Sequence, residues 1–131
     1  MKIHHIGIAV ESLAMARPAF EQLLGKAVGP EEVVEEQKVR VAMFQVGESR
    51  LELLEATGED SPLARSLAKR GQGLHHIALV VEDLAGTLRK LESAGVRLID
   101  REPHHGAGNE QVAFLHPAST AGVLIELVEE K

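Results

Sequence analysis

HHIALVVEDL, residues 75–84, repeats HHIGIAVESL, residues 4–13, at an offset of 71 positions. The two stretches share His-His-Ile, then Val-Glu, and the final Leu. A second pair closes each half of the chain, because Leu51-Glu52-Leu53 recurs as Ile125-Glu126-Leu127 at an offset of 74. Repetition at nearly the same spacing indicates a duplicated structural unit, with about three extra residues in the second copy. We therefore interpret the chain as two copies of one module.

Composition limits the classes of protein to which the chain can belong. Its 131 residues are enough for one domain with a sizeable core, although the only aromatic residues are three phenylalanines. A net charge of −6 disfavours nucleic-acid binding, and the lack of cysteine excludes disulfides and thiolate chemistry. No apolar run reaches the roughly 18 residues that span a bilayer, and the chain starts as a strand rather than a signal peptide. We expect a soluble, cytoplasmic protein without nucleic-acid or membrane partners.

Each copy has the pattern of a βαβββ module. The predicted strands of the two copies are residues 3–10, 31–37, 39–46 and 51–55, and residues 75–81, 96–100, 111–115 and 123–128. One helix per copy follows its first strand and ends at Gly25 or Gly95. The predicted fold is α+β, with two tandem modules forming an eight-stranded curved mixed sheet around a metal cleft and the helices outside. We expect a single domain made of module 1 (about 1–56), a connector (57–73) with a short helix, and module 2 (about 74–131).

Side-chain alternation along the strands selects two positions in each module. His5 and His76 are related by the repeat, and each lies on the strand face that carries small residues. Glu52 and Glu126 are related in the same way, and each points away from its aliphatic neighbours. A buried carboxylate needs a charged partner or a bound cation. Two imidazoles and two carboxylates in one cleft would make a site for a first-row divalent metal.

Simpler interpretations exist for each of these residues. A single strand histidine is more often an edge or core residue than a ligand, and a Leu-Glu-Leu strand usually exposes its glutamate. Duplication of both residue types at corresponding positions favours the metal site. Alternation places His4 and His75 on the opposite face, so we assign them structural roles. We interpret His104-His105 as a solvated turn in a glycine-bearing loop, and His116-Pro117 as a turn into the last hairpin.

Six stretches resemble the methylmalonyl-CoA epimerase family, which is part of the vicinal oxygen chelate superfamily of glyoxalases and extradiol dioxygenases. The resemblance covers residues 3–129, and FLHP followed by GVLIELVE is its most specific part. The stretches are HHIGIAVESL, EEQKVRVAMFQVGESRLELLE, DSPLARSL, GLHHIALVVEDL, GVRLIDREPHHGAG and VAFLHPAST–GVLIELVE.

The resemblance implies a ligand set and a reaction. His5, Glu52, His76 and Glu126 match the family's metal-ligand positions, and Glu52 stands where some members have glutamine. The implied metal is divalent, most often Co²⁺, with Mn²⁺, Ni²⁺, Zn²⁺ or Mg²⁺ as alternatives. The implied reaction interconverts (R)- and (S)-methylmalonyl-CoA by removing and returning the C2 proton through an enolate. The resemblance also implies a homodimer.

Departures from the family pattern affect the second base and the binding of CoA. Glu126 matches one catalytic base. Some members carry the other as a glutamate where this chain has Val41, which cannot move a proton, and pseudo-symmetry makes Glu52 its substitute. Ala118 replaces a lysine that often follows FLHP. The cationic and hydroxyl side chains that could bind the CoA phosphates instead are Arg97, Arg101, Ser119 and Thr120.

Four other functions can be weighed against the residues. The same metal site could serve another acyl-CoA epimerase, or a glyoxalase-I-type isomerase acting on a glutathione hemithioacetal. A ring-cleaving dioxygenase needs only three protein ligands, so a fourth ligand at Glu52 disfavours it. A non-catalytic binding module of the bleomycin-sequestering kind would lack the ligand set and line its cleft with aromatic residues, and this chain has no Trp or Tyr.

Overall fold

The structure is a computed structural model that describes residues 1–130. In chain order its elements are β1 (Ile3–Ala9), α1 (Leu13–Leu24), β2 (Glu32–Val34), β3 (Val39–Val46), β4 (Ser49–Ala56), α2 (Pro62–Arg70), β5 (Gly73–Val80), α3 (Leu84–Ser93), β6 (His104–His105), β7 (Gln111–Leu115) and β8 (Ile125–Glu129). The described residues divide into two compact units, one of residues 6–75 and one of residues 1–5 with 76–130. No helix within residues 1–130 has both the length and the apolar character needed to cross a bilayer.

In the unit of residues 6–75 the strand order is β2-β3-β4-β1. Strands β3 and β4 form an antiparallel hairpin, whose turn places Gly47 at a φ of 59°, in the left-handed region that glycine tolerates. Helix α1 begins at the predicted N-cap Ser12 and ends at Gly25, which has a φ of 68°. The core between helix and sheet consists of aliphatic residues and two phenylalanines, among them Leu13, Phe20, Phe44 and Leu53.

In the unit of residues 1–5 and 76–130, to which β1 contributes residues 3–5, the strand order is β1-β5-β8-β7-β6. Strand β5 pairs with β8 in parallel, and β8 pairs with β7 antiparallel. Helix α3, which is N-capped by the Asp83 carboxylate, packs Leu84 and Leu88 against Ala113 and Leu127 of the sheet. As predicted, the bulky face of β5 lies against the helix, which leaves the opposite face for polar side chains.

Repeat-related hydrogen bonds confirm the duplication in the structure. The Val10 N–H donates to the Leu54 carbonyl at 2.9 Å, and the Val81 N–H donates to the Val128 carbonyl at 2.9 Å. These donors are 71 positions apart and the acceptors 74, as are the repeated sequence stretches. The fold-class prediction is also confirmed, since each copy folds as a βαβββ module and the eight strands combine parallel and antiparallel pairing.

A second pair of repeated hydrogen bonds holds the start of each helix. The Leu13 N–H donates to the Glu55 carboxylate at 2.7 Å, and the Leu84 N–H donates to the Glu129 carboxylate at 2.8 Å. A carboxylate is favoured at a helix N-terminus because the first N–H groups there lack partners within the helix. Glu55 and Glu129 therefore have structural roles, although each lies only three residues after a predicted metal ligand.

Two predictions in the second copy are wrong. Residues 96–100 form only an isolated bridge, Leu98 with Leu115, because the N–H groups of Ile99 and Asp100 both donate to the Phe114 carbonyl. The missing strand of the module is instead His104–His105, which pairs with β7 and is therefore not a solvated turn. Its His104 ring lies 3.1 Å from the Asp100 carboxylate.

Candidate metal and catalytic site

Three of the four predicted ligands meet in the unit of residues 1–5 and 76–130. His5 Nε2 lies 2.8 Å from His76 Nε2, and both nitrogens lie close to Glu126 Oε1, at 3.0 and 3.1 Å. The three residues are buried, with exposed fractions of 4%, 7% and 4%. The structure thus places two imidazole nitrogens and one carboxylate oxygen at the corners of a small triangle, which we call the His5–His76–Glu126 triangle.

The strand pairing explains this convergence. His76 lies on β5, and Glu126 lies on the neighbouring parallel strand β8, in register with Ala78, two residues beyond His76. Residues 76, 78 and 126 therefore share one face of the sheet, as alternation predicts. Phe114 pairs with Glu126 across the other edge of β8, and its ring packs edge-on against His76 at a centroid distance of 5.6 Å. An apolar ring thus limits the positions open to the imidazole.

Protein hydrogen bonds alone do not satisfy the triangle when Glu126 is ionised. Its Oε1 can accept from His5 and His76 only if both Nε2 atoms carry a proton. Two N–H donors would then face each other across 2.8 Å, which is repulsive. A cation at the centre removes this conflict, since all three atoms would point lone pairs towards it. The donor set therefore fits a bound divalent metal.

The dimensions of the triangle fit the same conclusion. Ligand atoms about 2.1 Å from a metal and at right angles to one another lie about 3.0 Å apart. The observed edges are 2.8, 3.0 and 3.1 Å. Imidazole nitrogens with a carboxylate oxygen suit first-row divalent ions such as Co²⁺, Mn²⁺ or Zn²⁺. Three ligands leave further coordination positions for a fourth residue, water or substrate.

Glu52, the fourth predicted ligand, belongs to the unit of residues 6–75. It lies on β4 in register with Met43 and has an exposed fraction of 4%. The alternative in which a Leu-Glu-Leu strand turns its glutamate to solvent is therefore wrong. By the 74-residue offset, Glu52 is the counterpart of Glu126. Its place in the ligand set stays a prediction.

Burial and hydrogen bonding set the protonation states of the triangle. Burial raises the pKa of Glu126, but hydrogen bonds from His5 and His76, with their charge, outweigh it and lower that pKa to about 2. Burial lowers the pKa of His5 below its ordinary value, more than its contact with Glu126 raises it. Near neutral pH the site therefore holds a carboxylate and a neutral imidazole, the forms that bind metal ions.

Comparison with known proteins assigns the family. Residues 4–114 match the model of the Glyoxalase/Bleomycin resistance protein/Dioxygenase superfamily. The ethylmalonyl-CoA/methylmalonyl-CoA epimerase of Cereibacter sphaeroides is 36% identical over 96% of this chain and 96% of its own length. The chain belongs to the methylmalonyl-CoA epimerase family.

Further relatives support this assignment. The uncharacterized protein YqjC of Bacillus subtilis is 49% identical over 99% of this chain and 93% of its own. A Streptomyces coelicolor methylmalonyl-CoA epimerase variant, solved in complex with 2-nitronate-propionyl-CoA, has a TM-score of 0.94 and 40% identity, covering 99% of this chain and 94% of that one. The resemblance recognised from the sequence is therefore confirmed, and the fold is that of this superfamily.

The triangle should make the metal-free protein sensitive to acid. Glu126 has a pKa of about 2 in the folded state and 4.5 ordinarily, so the unfolded chain binds more protons as pH falls through this interval. The free energy of unfolding therefore falls by on the order of 3 kcal/mol as the pH drops below 4.5. Because the pKa of His5 is also lowered, His5 reduces the free energy of unfolding further as the pH drops below 6.5. Urea unfolding of metal-free protein from pH 7 to pH 3 measures the loss.

Glu126→Gln provides the control for this prediction, because glutamine keeps the shape of the side chain without titrating. The variant should lose less stability over the same pH range than the wild-type protein does. Equal losses in the two proteins would contradict the assignment of this acid sensitivity to Glu126.

His4 is the residue near the site that sequence reasoning missed. Alternation assigned it to the opposite face, yet it is buried, with an exposed fraction of 2%. Its Nδ1 lies 2.7 Å from Nδ1 of His5, and its Nε2 lies 3.1 Å from a Glu110 carboxylate oxygen. The sequence carried no signal for this contact, because positions 4 and 110 are related by neither repeat offset nor motif.

The candidate CoA-binding residues have local partners in this family member. The Ser119 hydroxyl accepts the Arg97 N–H at 2.8 Å, and the Thr120 hydroxyl donates to the Val123 carbonyl at 2.7 Å. The Arg101 guanidinium lies 3.2 Å from the Glu92 carboxylate on an exposed surface. Both hydroxyls thus shape the loop between β7 and β8, and phosphate binding by these residues stays a prediction.

Proposed function

We propose that the protein interconverts (R)- and (S)-methylmalonyl-CoA by removing the C2 proton from one face and returning a proton to the other. The observation that carries this proposal is the buried His5–His76–Glu126 triangle in a chain of the methylmalonyl-CoA epimerase family. Its donor set suits a divalent metal, and its carboxylate is ionised near neutral pH.

The residues divide the chemistry between them. His5, His76 and Glu126, with Glu52 as the fourth ligand, would hold the metal. A divalent ion there would supply positive charge beside the thioester oxygen, where negative charge develops as the C2–H bond breaks. Glu126, which is ionised near neutral pH, takes the C2 proton into its carboxylate as the general base. The C–H electron pair moves into the enolate, and Glu52, which starts this step as the protonated acid, returns its proton to the opposite face of C2. Proton exchange with water then restores the ionised Glu126 and the protonated Glu52.

Replacing Glu52 with glutamine tests its role as the second acid and base. Glutamine cannot carry the proton, so we expect epimerisation to slow by about 100-fold or more. Its amide oxygen can still bind a metal, so the affinity for Co²⁺ should change by less than about tenfold. Stopped assays of epimerisation and titration with Co²⁺ measure the two effects.

Glu55→Gln is the matched control for this variant. Glu55 lies three residues further along the chain, and its carboxylate holds the Leu13 N–H at the start of α1. The control should keep nearly normal epimerisation. Near-normal activity of Glu52→Gln would remove Glu52 from the mechanism.

The metal, oligomeric state and location belong to the same proposal. Co²⁺ is the metal that the family resemblance favours, and the acyl-CoA is a small-molecule substrate.

We propose a cytoplasmic homodimer, because the exposed edges of β2 and β6 are of the kind that proteins cover by pairing or association. Light scattering should give twice the chain mass of 14.2 kDa. A mass of one chain would contradict the dimer.

Proton exchange in heavy water tests the proposed function directly. Metal-free and Co²⁺-loaded protein are incubated with methylmalonyl-CoA, and the loss of the C2 proton signal is followed by NMR. Rapid exchange that depends on Co²⁺ would support the proposal. Tight metal binding without exchange would contradict this substrate.

Another acyl-CoA is the second candidate substrate, because the Cereibacter sphaeroides relative is named for both ethylmalonyl-CoA and methylmalonyl-CoA. Ethylmalonyl-CoA should therefore be compared in the same exchange experiment. A glutathione hemithioacetal distinguishes a glyoxalase-I-type activity, which we expect to be absent. Faster turnover of either alternative would reassign the substrate and leave the metal site unchanged.

A further inference from the structure

His4 links the candidate metal site to a carboxylate at its edge. Its Nδ1 lies 2.7 Å from His5 Nδ1, with the two rings edge to face at a centroid distance of 5.0 Å. Its Nε2 lies 3.1 and 3.2 Å from the two Glu110 oxygens, and 3.7 Å from a Glu130 oxygen. A continuous path therefore runs from Glu110 through His4 to the far side of the His5 ring.

The direction of these hydrogen bonds follows from the donor inventory. A carboxylate accepts only, so the Glu110 contact requires a proton on His4 Nε2. In neutral His4 the Nδ1 atom is then an acceptor. Because a hydrogen bond between the two Nδ1 atoms needs one proton, that proton lies on His5. Neutral His5 with a proton on Nδ1 has its lone pair on Nε2, the atom that faces His76 and Glu126.

We propose that His4 and Glu110 are positioning residues, which hold His5 in the Nδ1–H tautomer and aim its Nε2 lone pair into the metal site. The inference rests on the proposed function in so far as it assigns His5 as a ligand. Metal-bound histidines commonly donate their other N–H to a fixed acceptor, which sets both tautomer and ring orientation. Here the acceptor is a second histidine, oriented in turn by a carboxylate.

The glycine-bearing loop before β7 places Glu110. The Gly106 N–H donates to the Glu110 carbonyl at 2.9 Å, which closes the loop just before the strand. A Cβ atom on Gly106 would lie 2.7 Å from a methyl carbon of Val112, so a larger residue would displace this turn. The glycine-bearing loop therefore has a geometric role beside the site.

Substitution of His4 separates positioning from simple packing. His4→Leu removes the acceptor for His5 and the donor for Glu110. His4→Gln can restore both, since its amide oxygen accepts and its amide N–H donates. Loss of such a supporting partner typically weakens metal binding by about 10- to 100-fold. We expect that loss for Zn²⁺ in His4→Leu, and recovery to within about threefold of wild type in His4→Gln.

The Nδ1–H group of His5 provides a readout that does not depend on activity. Long-range ¹H–¹⁵N NMR of the Zn²⁺-loaded protein should show a hydrogen-bonded, slowly exchanging Nδ1–H on His5 in the wild type and in His4→Gln. In His4→Leu this proton should move upfield and exchange faster with water, because its acceptor is gone. Glu110→Ala, at a partly exposed residue that is safer for folding, should shift the same signal in the same direction. His75→Leu is the matched control, because His75 precedes a ligand in the second copy as His4 does in the first.

The outcomes distinguish this inference from the proposed function. Weaker Zn²⁺ binding and a shifted Nδ1–H signal in His4→Leu, both absent in His75→Leu, would support the positioning role even if no acyl-CoA were epimerised. Binding of Zn²⁺ through Nδ1 of His5 in the wild type would overturn it. Unchanged Zn²⁺ affinity and an unchanged Nδ1–H signal in both His4→Leu and Glu110→Ala would overturn it as well, whatever the substrate proves to be.

Discussion

Glu126→Gln is expected to lower the rate of C2-proton exchange by about 1,000-fold or more. The carboxylate is the proposed base, and general acid–base catalysis alone contributes about 100- to 10,000-fold. Glu126 is also a corner of the triangle, at 3.0 Å from His5 and 3.1 Å from His76. Glutamine has the same shape as glutamate but no negative charge, so it cannot accept the proton. The variant should therefore lose base catalysis and bind the metal more weakly.

The exchange is measured by NMR in heavy water, with Co²⁺ raised until the rate no longer increases. Saturation separates the two roles, because it restores metal occupancy but not the base. Glu129→Gln is the matched control on the same strand, since its carboxylate accepts the Leu84 N–H at the start of α3. We expect nearly normal exchange and a small loss of stability, about 0.3–1 kcal/mol, in the control. A Glu126→Gln rate within tenfold of wild type at saturating Co²⁺ would exclude Glu126 as the base.

Removal of the divalent metal is expected to lower the melting temperature by about 10 °C and to abolish exchange. A ligand present at 100 times its Kd stabilises the folded state by about 2.7 kcal/mol, which corresponds to about 10 °C for a chain of this size. The effect should be specific to the folded state, because the three ligand atoms come from positions 5, 76 and 126 and meet only after folding.

Thermal unfolding with Co²⁺, with a chelator, and after Co²⁺ is added back measures this stabilisation. His76→Ala should lose the dependence of the melting temperature on Co²⁺, because it removes one corner of the triangle. His105→Ala, at an exposed histidine of β6, is the control and should keep that dependence. A wild-type melting temperature that is unaffected by chelation and by Co²⁺ would contradict the metal site.

The repeat made most of the site predictable. His5 and His76 occupy the same place in two copies of one motif, and strand alternation put both on the face opposite the helix-packed residues. The same logic found Glu126, and the structure brings these three atoms together. The duplication was informative because burying a charged side chain costs free energy. When such a residue recurs at the corresponding position of a second copy, a common function for the two residues is indicated.

The errors lie where local pattern competes with longer-range contacts. Residues 96–100 have the alternation of a strand, but the N–H groups of Ile99 and Asp100 both bond to Phe114, which prevents a regular ladder. His104 and His105 were predicted to be loop residues because Pro103 precedes them and Gly106 and Gly108 follow. They form a strand because they pair with Val112 and Gln111 of β7. The intrinsic strand propensity of two residues does not predict with which strand they pair.

The sequence by itself determined the duplicated βαβββ modules, the helix boundaries at Ser12, Gly25 and Asp83, and the three residues of the triangle. These features depend on periodicity and on local backbone chemistry, which a single chain displays directly. Only the tertiary structure decided that His4 lies beside the site and that the Glu110 carboxylate lies against His4. Those residues are 106 positions apart, and a hydrogen bond between such distant residues depends on the packing of whole strands rather than on any pattern along the chain.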